Sequence, residues 1–153
     1  MALFLVQHGQ NLPRETDPQK GLSQEGRAEV LRIADVARNY GIAVARIEHS
    51  GKKRALQTAE IMAAALAPPE GVHPRKGINP LDDVVAAARG LTNADNLMLV
   101  GHLPFMERLA AYLITESVAP RVLKFQNGGI VCLEQNPDDR AWFIKWTLMP
   151  RIG

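Results

Sequence analysis

Short apolar runs and amphipathic stretches alternate over the first two thirds of the chain. Residues 2–6 form one continuous apolar run, and residues 97–100 form another. Apolar runs of this length predict strands that are buried on both faces. Between them, Ser23 is placed to cap a helix, and Gly41 supplies the left-handed residue that ends it. The apolar face of this predicted helix comprises Val30, Ile33, Ala34 and Ala37.

The same kinds of pattern predict the next elements. Residues 42–48 alternate weakly and predict a second strand, followed by a turn at residues 50–51 into a second helix. The apolar face of that helix comprises Ala55, Thr58, Ala59, Met62 and Leu66. Two consecutive prolines end it, and a loop then leads to a short helical segment at residues 82–89. Pro104 suits the first turn of a further helix. The apolar face of that helix comprises Met106, Leu109, Ala110 and Leu113.

The character of the pattern changes after Pro120. Three segments predict strands, namely residues 121–125, 129–133 and 142–148. Turns are expected at residues 126–128 and 136–139, which makes this part of the chain a hairpin-rich edge of the sheet. The alternation along the last strand predicts that Trp142 and Trp146 share one face.

Strands and helices in this order predict an α/β fold, a three-layer sandwich with an open, mostly parallel sheet and helices on both faces. We expect residues 1–153 to form a single domain, because this length suits one hydrophobic core. Ligands bind to such sheets beyond the carboxyl ends of the strands. Three polar groups are predicted to lie at that edge, and they are His8, residues 50–54 and His102.

Composition narrows the expected partners. The 18 basic and 16 acidic residues give a net charge of +2 and form no block of like charges, so we expect no nucleic-acid partner. No apolar run has the length of a signal sequence's hydrophobic region or of a membrane span, which predicts a cytoplasmic protein without membrane contact. No coiled-coil pattern or extended apolar patch is visible, and we expect a monomer.

The single cysteine and two of the histidines are assigned structural roles. Cys132 lies in an apolar stretch and predicts a buried strand thiol rather than a nucleophile. His49 and His73 match no motif, and we expect them in loops or at the surface. Because no histidines and cysteines have the spacing of metal ligands, we expect no metal and no other cofactor.

Four segments together carry a recognisable pattern. They read Gln7-His8-Gly9, then Asp17-Pro18-Gln19-Lys20-Gly21-Leu22-Ser23-Gln24-Glu25-Gly26, then Ser50-Gly51-Lys52-Lys53-Arg54-Ala55-Leu56-Gln57-Thr58-Ala59, and finally Gly101-His102. In order and spacing, these segments resemble the histidine phosphatase superfamily, and in particular its SixA-like phosphohistidine phosphatases. The matching family pattern has Arg-His-Gly, Asp-x-x-Arg-x-Leu-Thr-x-x-Gly, Ser-x-x-x-Arg-Ala-x-Gln-Thr-Ala and Gly-His. The resemblance implies a phosphoglycerate mutase-like fold.

The resemblance also implies a mechanism and the residues that carry it. His8 matches the nucleophile, which attacks phosphorus and forms a covalent phosphohistidine. Arg54 and His102 match the catalytic phosphate-binding groups, and Gln7 occupies a further phosphate-binding position. A SixA-like member would act on a phosphorylated protein, with a histidine phosphotransfer domain as the expected partner.

Gln7 departs from the family pattern, because an arginine is expected at that position. Loss of one such donor costs roughly 2.7–4 kcal/mol of transition-state stabilisation if nothing compensates. Four basic residues lie in segments that can reach the pocket and compensate, and the sequence does not choose among them. They are Arg14, Lys20, Lys52 and Lys53.

The general acid is also open, with Asp17, Asp82 and Asp83 as the local options. The chain has no room for the long insert from which larger relatives supply a carboxylate. An imidazole leaving group needs little acid assistance because its pKa lies near neutrality, which favours a phosphohistidine substrate. Two alternatives remain: a small-molecule phosphomonoesterase of the same fold, and a weakly active phosphate-binding protein in which Gln7 records lost turnover.

Overall fold

One mixed sheet organises the part of the chain that the computed structural model describes, residues 1–152. The sheet has six strands in the order β3-β2-β4-β1-β5-β6. The strands are β1 (Leu3–Gln7), β2 (Arg46–His49), β3 (Val72–Pro74), β4 (Leu97–Gly101), β5 (Ile130–Gln135) and β6 (Trp142–Leu148). Strands β3, β2, β4 and β1 are parallel neighbours, whereas β5 runs antiparallel to both β1 and β6. This is the open, mostly parallel sheet that the alternating sequence pattern predicts.

Helices cover both faces of the sheet and bury one hydrophobic layer on each side. They are α1 (Gln24–Asn39), α2 (Lys53–Leu66), α3 (Val84–Ala88) and α4 (Phe105–Thr115), with a short 3₁₀ turn at Asn93–Asp95. Helices α1 and α2 pack with Phe4, Val6 and Met98 on one face. Helices α3 and α4 pack with Leu3, Leu5 and Leu99 on the other. Because successive strand residues point to opposite faces, fully apolar strands such as β1 and β4 supply both layers. The three-layer α/β fold class is therefore confirmed.

Local capping signals place α1 where the sequence predicts it. The Ser23 hydroxyl accepts a hydrogen bond from the Gly26 N–H at 3.0 Å, which satisfies one of the free N–H groups at the helix start. At the other end, Gly41 adopts a φ of +72°, a conformation that glycine takes without a steric penalty. The four apolar positions predicted to face the core are all buried.

Three predicted boundaries or elements are wrong, and each error has a tertiary cause. The second strand begins at Arg46 rather than residue 42, because Ile42 and Val44 pack against the α1–α2 side without pairing. The loop before the short helix contains β3, a three-residue strand that pairs with β2. Residues 121–125 form no strand; instead their apolar side chains cover the α4 side of the sheet.

The two tryptophans of β6 lie on opposite faces, contrary to the prediction from alternation. Trp146 packs on the α1–α2 side and Trp142 on the α3–α4 side. The pairing of β5 with β6 shifts between Cys132 and Leu133, so an irregularity in the ladder interrupts the alternation. A bulge of this kind reverses the face of every later residue in the strand.

The parallel strands end together at the edge where His8 and His102 follow β1 and β4. Within residues 1–152, no helix combines the length and apolar character needed to cross a bilayer.

Candidate active site

The backbone around His8 is held from three sides. Its N–H donates to the Gly101 carbonyl at 2.9 Å, which extends the pairing of β1 with β4 by one residue. The next N–H, of Gly9, donates to the Thr58 hydroxyl at 2.9 Å. The His8 carbonyl accepts a hydrogen bond from the Asn127 side-chain amide at 3.0 Å. These contacts fix the direction in which the His8 side chain leaves the sheet.

Close packing against α1 explains the two glycines that flank this segment. A Cβ on Gly9 would lie 2.7 Å from a Val30 methyl group, and a Cβ on Gly26 would overlap the Gln10 carbonyl. Only glycine permits this approach of the chain after β1 to the first turn of α1. The glycine after His8 is thus a packing requirement.

The His8 ring has a defined tautomer. Its Nδ1 lies 2.7 Å from the Gly9 carbonyl oxygen, and a carbonyl can only accept, so Nδ1 carries the proton. Its Nε2 therefore carries a lone pair and no proton. Burial is the main cause that lowers the pKa of His8 to about 4, and the charges of Arg54 and Lys20 lower it further. The ring is therefore neutral near pH 7.

Arg54 contacts the ring nitrogen of His8 that carries no proton. Its Nε donates to His8 Nε2 at 3.3 Å, and the side chain is half-buried. An arginine stays protonated at any physiological pH. An oxygen of a phosphoryl group attacked by Nε2 would therefore lie within reach of the same guanidinium.

His102 lies beside His8. Its ring centroid lies 5.0 Å from that of His8, and only 1% of the residue is exposed. Its Nε2 is 2.6 Å from the Ser50 hydroxyl oxygen, whereas its Nδ1 is buried without a partner among the described residues. Burial, together with the charges of His8, Arg54 and nearby lysines, lowers the pKa of His102 to about 3. His102 is thus neutral near pH 7. It does not add a second positive charge beside Arg54. We call His8, Ser50, Arg54 and His102 the His8 pocket.

The rest of the arginine motif holds the surrounding chain in place. Thr58 receives the Gly9 N–H and donates its own hydroxyl to the Arg54 carbonyl at 2.8 Å. The Gln57 side-chain oxygen accepts the Leu22 N–H at 2.7 Å, which ties α2 to the loop before α1. Each polar residue of the motif after Arg54 therefore positions a neighbouring backbone segment.

Asp17 organises that loop. Its carboxylate accepts N–H groups from Gln19 and Gly21 and forms an ion pair with Lys53 at 2.9 Å. The hydrogen bond from Lys53 is the main cause that lowers the pKa of Asp17 to about 2. The clamp leaves Lys20 between these contacts with a φ of +54°, a left-handed conformation that non-glycine residues seldom adopt.

The clamped loop brings Lys20 to the His8 pocket. Its positive charge lowers the pKa of both His8 and His102, and it lines the same cleft as Arg54. Gln7, the last residue of β1, has a buried side-chain oxygen without a partner among the described residues. Of the four basic residues that sequence reasoning left open, Lys53 is paired with Asp17. The charge of Lys52 acts on His102, and the charge of Lys20 acts on both histidines.

The other candidate acids lie elsewhere. Asp82 accepts the Asn79 N–H, and Asp83 caps α3 by accepting the N–H groups of Val85 and Ala86. Both line a cavity that shares no lining residue with the cleft beside Arg54. The structure thus brings His8, Arg54 and His102 together, and it gives each of the three aspartates a structural partner.

The residues expected to be structural are placed as follows. Cys132 is buried in β5, as predicted, and burial raises the pKa of its thiol to about 11. His73 is exposed, as predicted, but His49 is buried, with its Nδ1 accepting the Gly51 N–H at 3.1 Å. The prediction for His49 is wrong because β2 ends one residue later than its pattern indicates.

Sequence reasoning missed two contributors. Ser50 is part of the motif, but its contact with His102 joins residues that are far apart in sequence. Asn127 lies in a predicted turn, and its bond to the His8 carbonyl likewise depends on the tertiary fold. No local pattern signals either contact.

Comparisons with known proteins find matches to the fold among solved structures. No protein-family model matches the chain, and no curated protein matches it. Among solved structures, the protein histidine phosphatase SixA complexed with tungstate matches with 21% identity and a TM-score of 0.81, over 98% of this chain and 97% of that chain. A SixA protein from Agrobacterium tumefaciens matches with 24% identity and a TM-score of 0.74, over 97% of both chains.

A mycobacterial glucosyl-3-phosphoglycerate phosphatase complexed with VO₃ also matches, with 16% identity and a TM-score of 0.72, over 97% of this chain and 99% of that chain. At these identities the likeness concerns the backbone. It extends over nearly the whole of this chain and of each neighbour. The chain therefore has the fold of the SixA and phosphoglycerate mutase-like histidine phosphatases, which confirms the resemblance in its sequence at the level of the fold.

Proposed function

We propose that the protein is a phosphatase that transfers a phosphoryl group to His8 and then to water. The observation that carries this proposal is the state of the His8 ring. The Gly9 carbonyl holds the proton on Nδ1, and Nε2 faces the Arg54 guanidinium at 3.3 Å. A buried neutral imidazole beside a fixed cation is the arrangement that attack on an anionic phosphorus requires.

The reaction has two displacements. The Nε2 lone pair forms a bond to phosphorus, and the bond from phosphorus to the leaving group breaks. Its electron pair goes to the leaving group, which takes a proton from solvent. A water oxygen then attacks phosphorus, the N–P bond breaks, and its electron pair returns to Nε2. The water proton passes to solvent. His8 is regenerated with its Nδ1 proton unchanged.

Three donors stabilise the charge on the phosphoryl oxygens in this proposal. Arg54 supplies a planar cation, and Lys20 supplies a second charge in place of the arginine expected at Gln7. In this proposal the Ser50 hydroxyl, whose oxygen lies 2.6 Å from His102 Nε2, donates to that nitrogen, so that the neutral ring carries its proton on Nδ1. That N–H has no acceptor among the described residues. In this proposal a phosphoryl oxygen of the bound substrate accepts it.

We further propose that the substrate is a phosphohistidine on a protein. Each of the three candidate aspartates already accepts hydrogen bonds from neighbouring backbone N–H groups. Asp17 also keeps its charge down to about pH 2. A site without a free acid suits an imidazole leaving group better than an alkoxide, because the imidazole departs near neutral pH with little proton assistance. The structural likeness to SixA, named a protein histidine phosphatase, supports the same substrate class.

A side-by-side assay of phosphate release tests the proposal and its alternatives. We expect kcat/KM for a phosphohistidine-bearing phosphotransfer domain to exceed that for sugar or nucleotide monophosphates by at least about a hundredfold, or roughly 2.7 kcal/mol. If a soluble phosphomonoester is the better substrate, the protein is a small-molecule phosphomonoesterase. If phosphate binds and no substrate turns over, it is a phosphate-binding protein.

A further inference from the structure

A cleft of about 560 Å³ adjoins the His8 pocket and is lined by basic and neutral residues. Five of its nine lining residues are basic and none is acidic. The five basic residues are Arg14, Lys20, Lys52, Lys53 and Arg54. We call this surface the basic cleft. One wall is the loop that Asp17 clamps, and the other is the first turn of α2.

The charge of the basic cleft exceeds what one phosphoryl group needs. Lys53 is neutralised by its ion pair with Asp17 at 2.9 Å. A phosphoryl group carries about two negative charges near pH 7, and Arg54 and Lys20 balance these beside His8. Arg14 and Lys52 then remain. Neither forms an ion pair with any described residue.

The surplus pair is more exposed than the two cations that balance the phosphoryl group. Arg14 and Lys52 are exposed, whereas Arg54 and Lys20 are half-buried. An exposed cation gains little from one carboxylate, because water screens the contact and the long side chain loses freedom. Several acidic groups presented together on a folded surface steer association and fix orientation, even where each contact is weak.

Building on the proposed phosphatase activity, we infer that the basic cleft recognises an acidic protein surface that flanks the phosphorylated side chain of the substrate. The phosphoryl group enters the His8 pocket, and carboxylates beside it meet Arg14 and Lys52. This contact supplies the orientation that the small enzyme does not obtain by enclosing its substrate. A free phosphomonoester lacks it.

Two phosphohistidine peptides test this inference, identical except that one has Asp and Glu around the phosphohistidine and the other has Asn and Gln. We expect kcat/KM for the acidic peptide to be about tenfold higher at low ionic strength. The advantage shrinks at about 1 M salt, where the Debye length falls to about 3 Å. The Arg14→Gln/Lys52→Gln double variant should remove most of the advantage.

A matched control removes the same net charge elsewhere. The Arg38→Gln/Lys145→Gln double variant neutralises two cations at surface ion pairs on α1 and β6, outside the basic cleft. It should retain the wild-type preference. If the control loses the preference equally, overall charge rather than the basic cleft selects the substrate, and the inference is wrong.

The outcomes separate this inference from the proposed function. Equal turnover of the two peptides overturns the inference and leaves the phosphatase intact. If neither peptide is hydrolysed, the proposed function fails. Binding to the His8→Ala variant, measured by fluorescence anisotropy, then tests the preference without turnover. Equal affinity for the two peptides in that measurement also overturns the inference.

Discussion

The His8 pocket and the basic cleft carry the same sign of charge but differ in construction. The pocket lies at the ends of the central parallel strands β1 and β4, and its two histidines are at most 8% exposed. The cleft is formed by a loop and a helix terminus, with Arg14 and Lys52 in solvent. Charges act strongly where water is excluded and weakly where salt screens them. Under the proposed function, the buried groups perform the chemistry and the exposed ones select the substrate.

Substitution of His8, the proposed nucleophile, has the largest expected effect and tests the role of the His8 pocket. His8→Ala should lower kcat by at least about 10⁴-fold, since no other group can form the covalent intermediate. Steady-state phosphate release measures the loss. His73→Ala, at an exposed histidine, is the matched control and should retain activity. Comparable loss in both variants, or an unfolded His8→Ala by circular dichroism, would contradict the assigned role.

Ser50 tests whether its contact with His102 within the pocket matters for turnover. Ser50→Ala removes the hydroxyl 2.6 Å from His102 Nε2, which frees the ring to place its proton on the wrong nitrogen. We expect kcat to fall about 10- to 100-fold with a smaller change in KM, as is typical when an orienting partner is lost. Ser50→Thr keeps the hydroxyl and should recover much of the rate. A merely structural role would leave kcat unchanged or give no recovery.

Lys20 lies between the His8 pocket and the basic cleft. Moving its positive charge to position 7 tests whether the pocket needs that charge. Lys20→Gln should lower kcat/KM by about tenfold, because a half-buried cation is lost from the pocket. Gln7→Arg alone should raise the rate less than tenfold, since Lys20 already serves. In the Lys20→Gln background, Gln7→Arg should rescue activity. Additive effects of the two substitutions would show that they act independently.

The pH dependence of stability has the smallest expected effect. An unfolded histidine has a pKa near 6.5, and burial lowers the pKa of His8 to about 4 in the folded protein. Between these values the unfolded state binds more protons, so the free energy of unfolding falls as the pH decreases from about 6.5 to 4. The free energy of unfolding is measured with urea at pH 7 and at pH 5. Between these pH values it should fall by about 1–2 kcal/mol more in the wild type than in His8→Ala. Equal losses would mean that His8 titrates normally.

The elements that sequence analysis predicts well are those with an uninterrupted pattern. The runs at β1 and β4 and the apolar face of α1 are unambiguous, and they suffice to bring His8 and His102 to one edge of the sheet. Arg54 joins them because its motif begins α2 just after β2. The core of the candidate site thus follows from periodicity and motif spacing.

What the sequence does not predict depends on long-range contacts. Strand β3 has three residues and exists only because β2 offers it a partner. The faces of Trp142 and Trp146 depend on an irregularity in the β5–β6 ladder. The contact of Ser50 with His102 and the left-handed Lys20 depend in the same way on neighbours brought in by the fold. Local propensity contains no information about these neighbours.

Trapping of the covalent intermediate tests the central claim most directly. The enzyme is mixed with a ³²P-labelled phosphohistidine peptide, quenched with alkali within milliseconds, digested and mapped by mass spectrometry. We predict an acid-labile, alkali-stable phosphate on Nε2 of His8 that forms and decays at rates consistent with turnover. Label on any other residue, or steady hydrolysis with no label on His8, would contradict the account.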